Sequence, residues 1–501
     1  MKTLFQLGPI FTSNMVFQWN QPIRIFGTCK KGIEIKLEFI DHCIKQRTTS
    51  STFLFEIKPF PSIKEPFEIV ITCKNQEVVL DNCLVGDVFI LCGADQVAMT
   101  VEESYEDLPS PNSMIRYFDI PKMPYLDAHI QSPSLYPNNA SWNVCKKDTL
   151  RMMSALGYHI SKELEYDLDI PVGIITASFE DSMLSSWTGM LDLCSLDRLG
   201  KILSYYKQEV SSYELSTDYD QAYAIQAAKQ HAFLDAVKKE QRQGISRYIA
   251  KQNILPQISY YLPMGPKHFN RPSGLFEHMI KPYGDIGVKA VVLYAGEYDL
   301  GVVDFVEDIT KMLIQSWRKN FRQPKLPFVV VQMTGHHYQG INHDVIPRMR
   351  EAQRRCIDLA NHVYFASAVD LGEESSPIPR EKSAISKRIA KVILEKVYKL
   401  EKSSMSPAYY SHQVTNDTLA IYTEYNHLHL VSRSRNFMGF YGKYQDGTIK
   451  PLRKVKTQAN QIIIEGIKQL QEIMYCWENF PVCDLYTTND LPLLPFKISI
   501  E

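Results

Sequence analysis

The stretch Gly86-Asp87-Val88-Phe89-Ile90-Leu91-Cys92-Gly93-Ala94-Asp95-Gln96-Val97 decides the fold. Its apolar run from Val88 to Cys92 has no polar alternation, so it reads as a strand buried on both faces, as in a parallel sheet. Gly93-Ala94-Asp95 follows at once and marks a tight turn at the strand's carboxyl end. Comparable runs recur at Val172-Gly173-Ile174-Ile175, at Val288-Lys289-Ala290-Val291-Val292-Leu293-Tyr294 and at Phe328-Val329-Val330-Val331-Gln332. Helix-compatible text lies between them, including Thr149 to Leu168 and Arg348 to Ala360. Strand and crossover helix in alternation predict an α/β domain, three layers deep, around a parallel sheet.

On the amino-terminal side the pattern changes. From Val16 to about Leu80 the text runs in short alternating stretches such as Ile33-Glu34-Ile35-Lys36-Leu37-Glu38-Phe39, the mark of a small β-sandwich. Residues from about 190 to 265 are polar and rich in Tyr, Gln and Lys, with helix-compatible stretches such as Gln221 to Arg242; they predict a helical insertion. After Ser403-Ser404-Met405-Ser406-Pro407 the alternation returns, as in Leu419 to Glu424 and Gln461 to Glu465. The expected organisation is an amino-terminal β-sandwich over 1–85, an α/β domain over 86–402 and a β-rich carboxyl domain over 403–501.

Composition limits the function classes. The 501 residues are 45% apolar and 22% charged, with a formal net charge of −1, so neither a disordered chain nor a polyanion binder is expected. Runs such as Lys238-Lys239-Glu240 are mixed in sign and read as solvated helix faces. No window approaches the roughly 18 apolar residues of a membrane span. The ten cysteines are scattered and form no C-x-x-C pair, which argues against a zinc or redox site and for buried free thiols. The opening Met1-Lys2-Thr3-Leu4-Phe5 lacks a long apolar stretch, and a cytoplasmic location is the expectation.

Several ordered segments resemble the sialate O-acetylesterase family, carbohydrate acetylesterases whose catalytic domain is an SGNH-type hydrolase flanked by β-rich domains. Leu7 to Gly27 resembles its opening motif, and Pro171-Val172-Gly173-Ile174-Ile175 through Trp187-Thr188 its second catalytic block. Pro272-Ser273-Gly274-Leu275-Phe276 and Leu293-Tyr294-Ala295-Gly296-Glu297-Tyr298-Asp299 resemble the third block, and Asp370-Leu371-Gly372 through Lys382 the last. Trp477-Glu478-Asn479-Phe480-Pro481 with Asp490 to Phe496 matches the family's ending.

The resemblance implies a serine nucleophile in the first block and an Asp-x-His element in the last. Here Asp95 stands at the nucleophile position, Ala94 where the family has glutamine and Gln96 where it has asparagine. No serine lies between Thr72 and Ser104, so no shift of register restores one. Ile378 takes the histidine position, ahead of Pro379 and Arg380, and Ser376 the aspartate position; no histidine lies between His362 and His412. The glycine pair that would donate to an oxyanion is Glu180-Asp181, and the asparagine of the third block is Asp299. Serine-type acyl transfer needs nucleophile, base, orienting carboxylate and oxyanion donors together. The expectation is therefore a protein of this family without serine-esterase activity, a carbohydrate-binding pseudoenzyme.

Asp95, Glu180, Asp181, Glu297 and Asp299 are expected to converge on the old pocket. Carboxylates crowded together require compensation, by a hard cation, by Arg380 or another basic residue, or by a raised pKa. A carboxylate pair acting on a glycosidic bond, or a hydrolase of acetylated glycans that is based on Asp95 or assisted by a metal, is the alternative in the enzyme class. His336-His337 and His343 offer a three-histidine metal site on one reading and ordinary hydrogen-bonded loop residues on the other. The expectation is no metal, no cofactor, no nucleic-acid or membrane partner, and a glycan or acetylated sugar as ligand.

Overall fold

The computed structural model describes residues 3–104, 110–126, 140–214, 219–337, 340–400, 402–424, 429–434, 436–458 and 461–500, with 212–214 described by backbone alone. The chain forms two compact units: Met1–Tyr298 with Asp308–Phe328 and Arg380–Ser386, and Asp299–Glu307 with Val329–Pro379 and Lys387–Glu501.

The first unit is organised by one long strand, Gln76–Gly93, whose two halves obey different rules. Its first half alternates in burial and pairs antiparallel with Ile63–Cys73, Val79 facing Val70. From Cys83 onward every residue is buried. This half runs parallel to Val172–Ser178, in register Val172 with Asp87 through Ser178 with Gly93, and parallel to Ala290–Tyr294 on its other side. The apolar run beginning at Val88 is the part with parallel neighbours on both sides, where alternation would place polar groups in the core. Val172–Ser178 pairs in turn with Asn112–Asp119, again parallel.

The helix Ala155–Leu168 buries Leu156, Ile160 and Leu164, one stripe at helical spacing. It begins later than the apolar text from Thr149, because Ser154 is extended and caps it by accepting from Gly157 N–H. Leu150–Met152 ahead of it is a separate 3-10 turn. Smaller antiparallel strands precede the long one, among them Ile23–Cys29 with Thr52–Ile57 and Glu34–Phe39 with His42–Arg47.

The insertion is helical: Gly200–Glu214, Tyr219–Gln241 and Arg247–Ile254. It has a small core of its own, in which Phe233 and Val237 meet Ala250 and Ile254. We call this part the helical lobe.

In the second unit, helix Val345–Arg355 ends in a 3-10 turn at Cys356–Asp358, earlier than the text to Ala360 suggests, and Val363–Ala366 is a strand. Its carboxyl part is β-rich. Ala408–Thr415, Thr418–Glu424, Gln461–Glu465 and Val455–Gln458 form one antiparallel sheet, and Ile449–Pro451, Phe440–Tyr444, Leu470–Tyr475 and Phe496–Ser499 another. Leu419, Ile421, Ile462, Ile464, Ile473 and Tyr475 are among the residues of their common core. Among the described residues no helix is long and apolar enough to cross a membrane.

Candidate functional site

The buried strand Gln76–Gly93 ends where Gly93 passes the carbonyl oxygen of Tyr294; a Cβ on Gly93 would lie 2.0 Å from that oxygen. The chain then turns through Ala94, wholly buried, into the single helical turn Asp95–Ala98. The turn is pinned from below by Ser154, whose hydroxyl donates to Val97 O at 2.8 Å. Asp95 is thereby held at the carboxyl end of the sheet with its side chain 4% exposed.

A carboxylate so placed needs donors, and three elements of the first unit supply them. Asp95 Oδ2 accepts from Asp181 N–H at 3.2 Å and from the Tyr298 hydroxyl at 2.8 Å. Lys251 Nζ lies 3.5 Å from Asp95 Oδ1 and donates to Asp181 Oδ1 at 2.9 Å. Arg247 Nε stands 3.9 Å from Asp95 Oδ1, and Arg247 Nη2 lies 3.1 Å from Glu180 Oε1. Lys122 completes the set at 2.6 Å from Glu180 Oε1. These three carboxylates thus face three cations at ion-pair distance, and Glu103 adds its charge opposite Arg247.

The charges act on one another. Burial pushes the Glu180 carboxyl up, but the Lys122 and Arg247 charges together outweigh it and hold the group down at about 2. Burial also favours loss of the Lys251 and Arg247 charges, yet the facing carboxylates raise both above their ordinary values. The Tyr298 hydroxyl is pushed far up by burial and then by the Asp95 and Asp181 carboxylates, so it serves as a donor.

Local backbone explains how Asp181 reaches the site. Val172–Ser178 ends and the chain reverses at Glu180-Asp181, Asp181 adopting φ 61°, the left-handed region. Asn270 clamps the reversal: its Nδ2 donates to Asp181 O at 2.9 Å, and its Oδ1 accepts from Met183 N–H at 2.8 Å. Asn270 N–H in turn donates to Nδ1 of His268 at 2.9 Å. Burial lowers that imidazole to about 4, so it is a neutral acceptor, and its ring stacks on Phe269 at 4.7 Å.

The other residues singled out from the sequence divide by unit. Gln96 is buried and its Oε1 accepts from the buried Lys382 Nζ at 2.5 Å. Arg380 Nε donates to Glu103 O at 2.9 Å, while the cations beside Asp95 are Arg247 and Lys251 of the lobe. Glu297 is half-buried in the first unit. Asp299, Ser376 and Ile378 belong to the second unit. Asp299 is fully buried and precedes the 3-10 helix Leu300–Phe305. The Ser376 hydroxyl donates to Ile378 O at 3.0 Å and accepts from Ile378 N–H at 3.1 Å.

His336 in the second unit is buried, its Nδ1 lying 3.1 Å from Glu373 O and its N–H donating to Asn479 O. Neighbouring 338–339 lie outside the described residues. Among the described residues no group of three His, Cys, Asp or Glu is arranged to hold a metal ion.

Sequence reasoning missed Arg247, Lys251, Lys122 and Asn270. Tyr298 was visible between Glu297 and Asp299; the lobe cations carried no signal, since a lysine four residues after an arginine is ordinary on a polar helix.

No family model and no curated protein matches the chain. Among solved structures, a carbohydrate acetylesterase from Xanthomonas citri is similar over 99% of this chain and 99% of its own, with a TM-score of 0.78 and 17% sequence identity. A protein from Arabidopsis thaliana (TM-score 0.33, 15% identity, 62% of this chain and 99% of that one) carries no weight here. Nor does the salicylyl-acyltransferase SsfX3 of a tetracycline biosynthetic pathway (0.23, 8%, 72% and 73%). The chain therefore has a carbohydrate acetylesterase-like fold.

Proposed function

We propose that this protein is a glycan-binding pseudoenzyme of the sialate O-acetylesterase type, an SGNH-like α/β hydrolase domain with β-rich flanks that has lost serine-esterase chemistry. The single observation that carries the reading is the occupancy of Asp95. By the resemblance it takes the nucleophile position, and its Oδ2 accepts from Asp181 N–H and the Tyr298 hydroxyl. Donors so directed would otherwise be free to stabilise a developing oxyanion. Here the protein's own carboxylate occupies them.

A carboxylate in that state is a poor nucleophile. Its lone pairs are engaged by an amide, a phenol and an ammonium, and attack on an ester would require breaking contacts that burial makes costly. The ligand class we assign is a neutral or acetylated sugar, in keeping with a site whose carboxylates are already paired with cations; the location we assign is the cytoplasm.

The test is turnover. Purified protein incubated with an aryl acetate and with an O-acetylated sialoside is expected to release no acetate above background and to take no label from a serine-directed phosphonate. Turnover that Asp95→Ala abolishes, without phosphonate labelling, would overturn the reading in favour of a carboxylate-based hydrolase. Phosphonate labelling would identify a serine esterase working through another residue.

A further inference from the structure

The helical lobe is fastened differently at its two ends. At its base, Tyr219 and Tyr223 grip the backbone of Lys267: the Tyr219 hydroxyl accepts from Lys267 N–H at 3.1 Å and the Tyr223 hydroxyl donates to Lys267 O at 3.2 Å. Tyr125 adds an edge-on ring contact with Tyr223 at 5.8 Å. The Lys267 ammonium lies over the Tyr125 and Tyr223 rings at 5.7 and 6.0 Å and pairs at 3.2 Å with Asp220, a carboxylate open to water, so the base rests on aromatic and backbone contacts with one exposed ion pair beside them. At the tip, the contacts with the sheet end are polar: Arg247 with Glu180 and Asp95, Lys251 with Asp181 and Asp95, and Gln241 Nε2 donating to Glu103 Oε1 at 2.6 Å. The apolar side of helix Arg247–Ile254 packs inward, Ala250 and Ile254 meeting Phe233 and Val237 of the lobe itself.

A lobe with its own core, hinged through tyrosines and fastened at the tip by charge, can release the tip without giving up apolar burial. Both tip cations remain partly in contact with water, Arg247 at 26% and Lys251 at 18% side-chain exposure. Partly buried ion pairs are screened by salt less than exposed ones but still weaken as ionic strength rises, whereas the tyrosine hydrogen bonds to backbone at the base do not. We infer that Arg247 and Lys251 form an ionic latch that closes the helical lobe over Asp95, so that access to the carboxyl end of the sheet is set by the strength of these pairs. The latch governs entry to the site of the proposed function but does not depend on which ligand enters.

The experiment uses the whole 501-residue chain without ligand, so its failure leaves glycan binding untouched. Carboxylates are labelled with a water-soluble carbodiimide and glycinamide, and the rate at Asp95 is read by peptide mass against the exposed Glu65 as internal reference. Hydrogen exchange in Ala155–Leu168 reports whether the sheet-bound core stays folded.

Raising sodium chloride from 50 mM to 1 M shortens the screening length from over 10 Å to about 3 Å, and should raise Asp95 labelling by about tenfold with the helix Ala155–Leu168 unchanged. The double variant Arg247→Met, Lys251→Met should label fast already at 50 mM and lose its salt response. Conserving the charges in Lys251→Arg should keep Asp95 protected at low salt. Equal, slow labelling of Asp95 in the wild type at both salts and in the double variant would overturn the latch. So would labelling that rises only together with exchange of Ala155–Leu168, because that is global unfolding. If the double variant does not fold, the wild-type salt series alone decides.

Discussion

The strand Val172–Ser178 and the helix Tyr219–Gln241 belong to the same compact unit and are built on opposite principles. All seven residues of the strand are buried; of the 23 residues of the helix, Phe233 and Val237 alone are buried. The sheet is held by removal of apolar surface from water, at roughly 25 cal/mol per Å², and every position in it is constrained by close neighbours. The lobe buries little and is positioned by tyrosines with one exposed ion pair at one end and by partly buried ion pairs at the other. The candidate site lies where the two meet. Asp95 arrives on the most constrained part of the chain, and its cations arrive on one of the least constrained.

That contrast is broken most severely at Gly93. A methyl group there would lie 2.0 Å from the Tyr294 carbonyl oxygen and 3.0 Å from Val97 Cγ2, and the first of these is backbone of a neighbouring strand that cannot swing aside. Overpacking of well-packed cores costs about 1–3 kcal/mol, and a clash with backbone belongs at or beyond the top of that range. Gly93→Ala is expected to lower stability by about 3 kcal/mol or more, measured by urea denaturation, and to leave little soluble protein in expression. A variant as stable as the parent would mean that the strands at Gly93 and Tyr294 are further apart than described.

The same contrast explains what could be read from the sequence. The apolar runs at Val88, Val172 and Ala290 became strands because nothing else buries such runs so economically, and the polar stretch from Gln221 to Arg242 became helix Tyr219–Gln241. Asp95, Glu180 and Asp181 could be placed at one end of the sheet because strand ends and turns have local signatures. Their partners could not. Arg247 and Lys251 reach the site through a long-range fold of the lobe, and a residue more than 150 positions from Asp95 leaves no local trace of that contact. The helix expected from Thr149 starts at Ala155 because Ser154 caps it, a capping signal that the apolar pattern outweighed in the reading.

A smaller effect sharpens the electrostatic half of the comparison. Glu180 carries a folded pKa of about 2 against 4.5, held down by Lys122 and Arg247 against the opposing effect of burial. Because the folded value is depressed, its contribution to stability is complete above the unfolded value and is lost as pH falls from about 5 through 2. Such a shift corresponds to an order of 3 kcal/mol at neutral pH. Glu180→Gln should therefore be less stable than the wild type by about 2–3 kcal/mol at pH 7, with the gap narrowing as pH is lowered from about 5 toward 2. Parallel stability curves for the two proteins across that range would show that the Lys122 and Arg247 pairs contribute nothing at this position.

The smallest effect has the opposite sign. Gly200 opens the first helix of the lobe, with φ −54° and ψ −30°, and a Cβ built on it meets nothing within 4 Å. Helical dihedrals are open to any L residue, so alanine is accommodated without strain, and it restricts the unfolded chain more than glycine does. The gain for such substitutions is about 0.4–1 kcal/mol, and at a helix end it belongs at the lower part of that range. Gly200→Ala is expected to protect the amides of Gly200–Glu214 from hydrogen exchange by a few-fold while moving the global urea midpoint little, because the lobe contributes little to the core. If Gly200→Ala instead destabilised the protein on the scale of Gly93→Ala, the lobe would be as tightly packed as the sheet, and the division between a part held by burial and a part held by charge would fail.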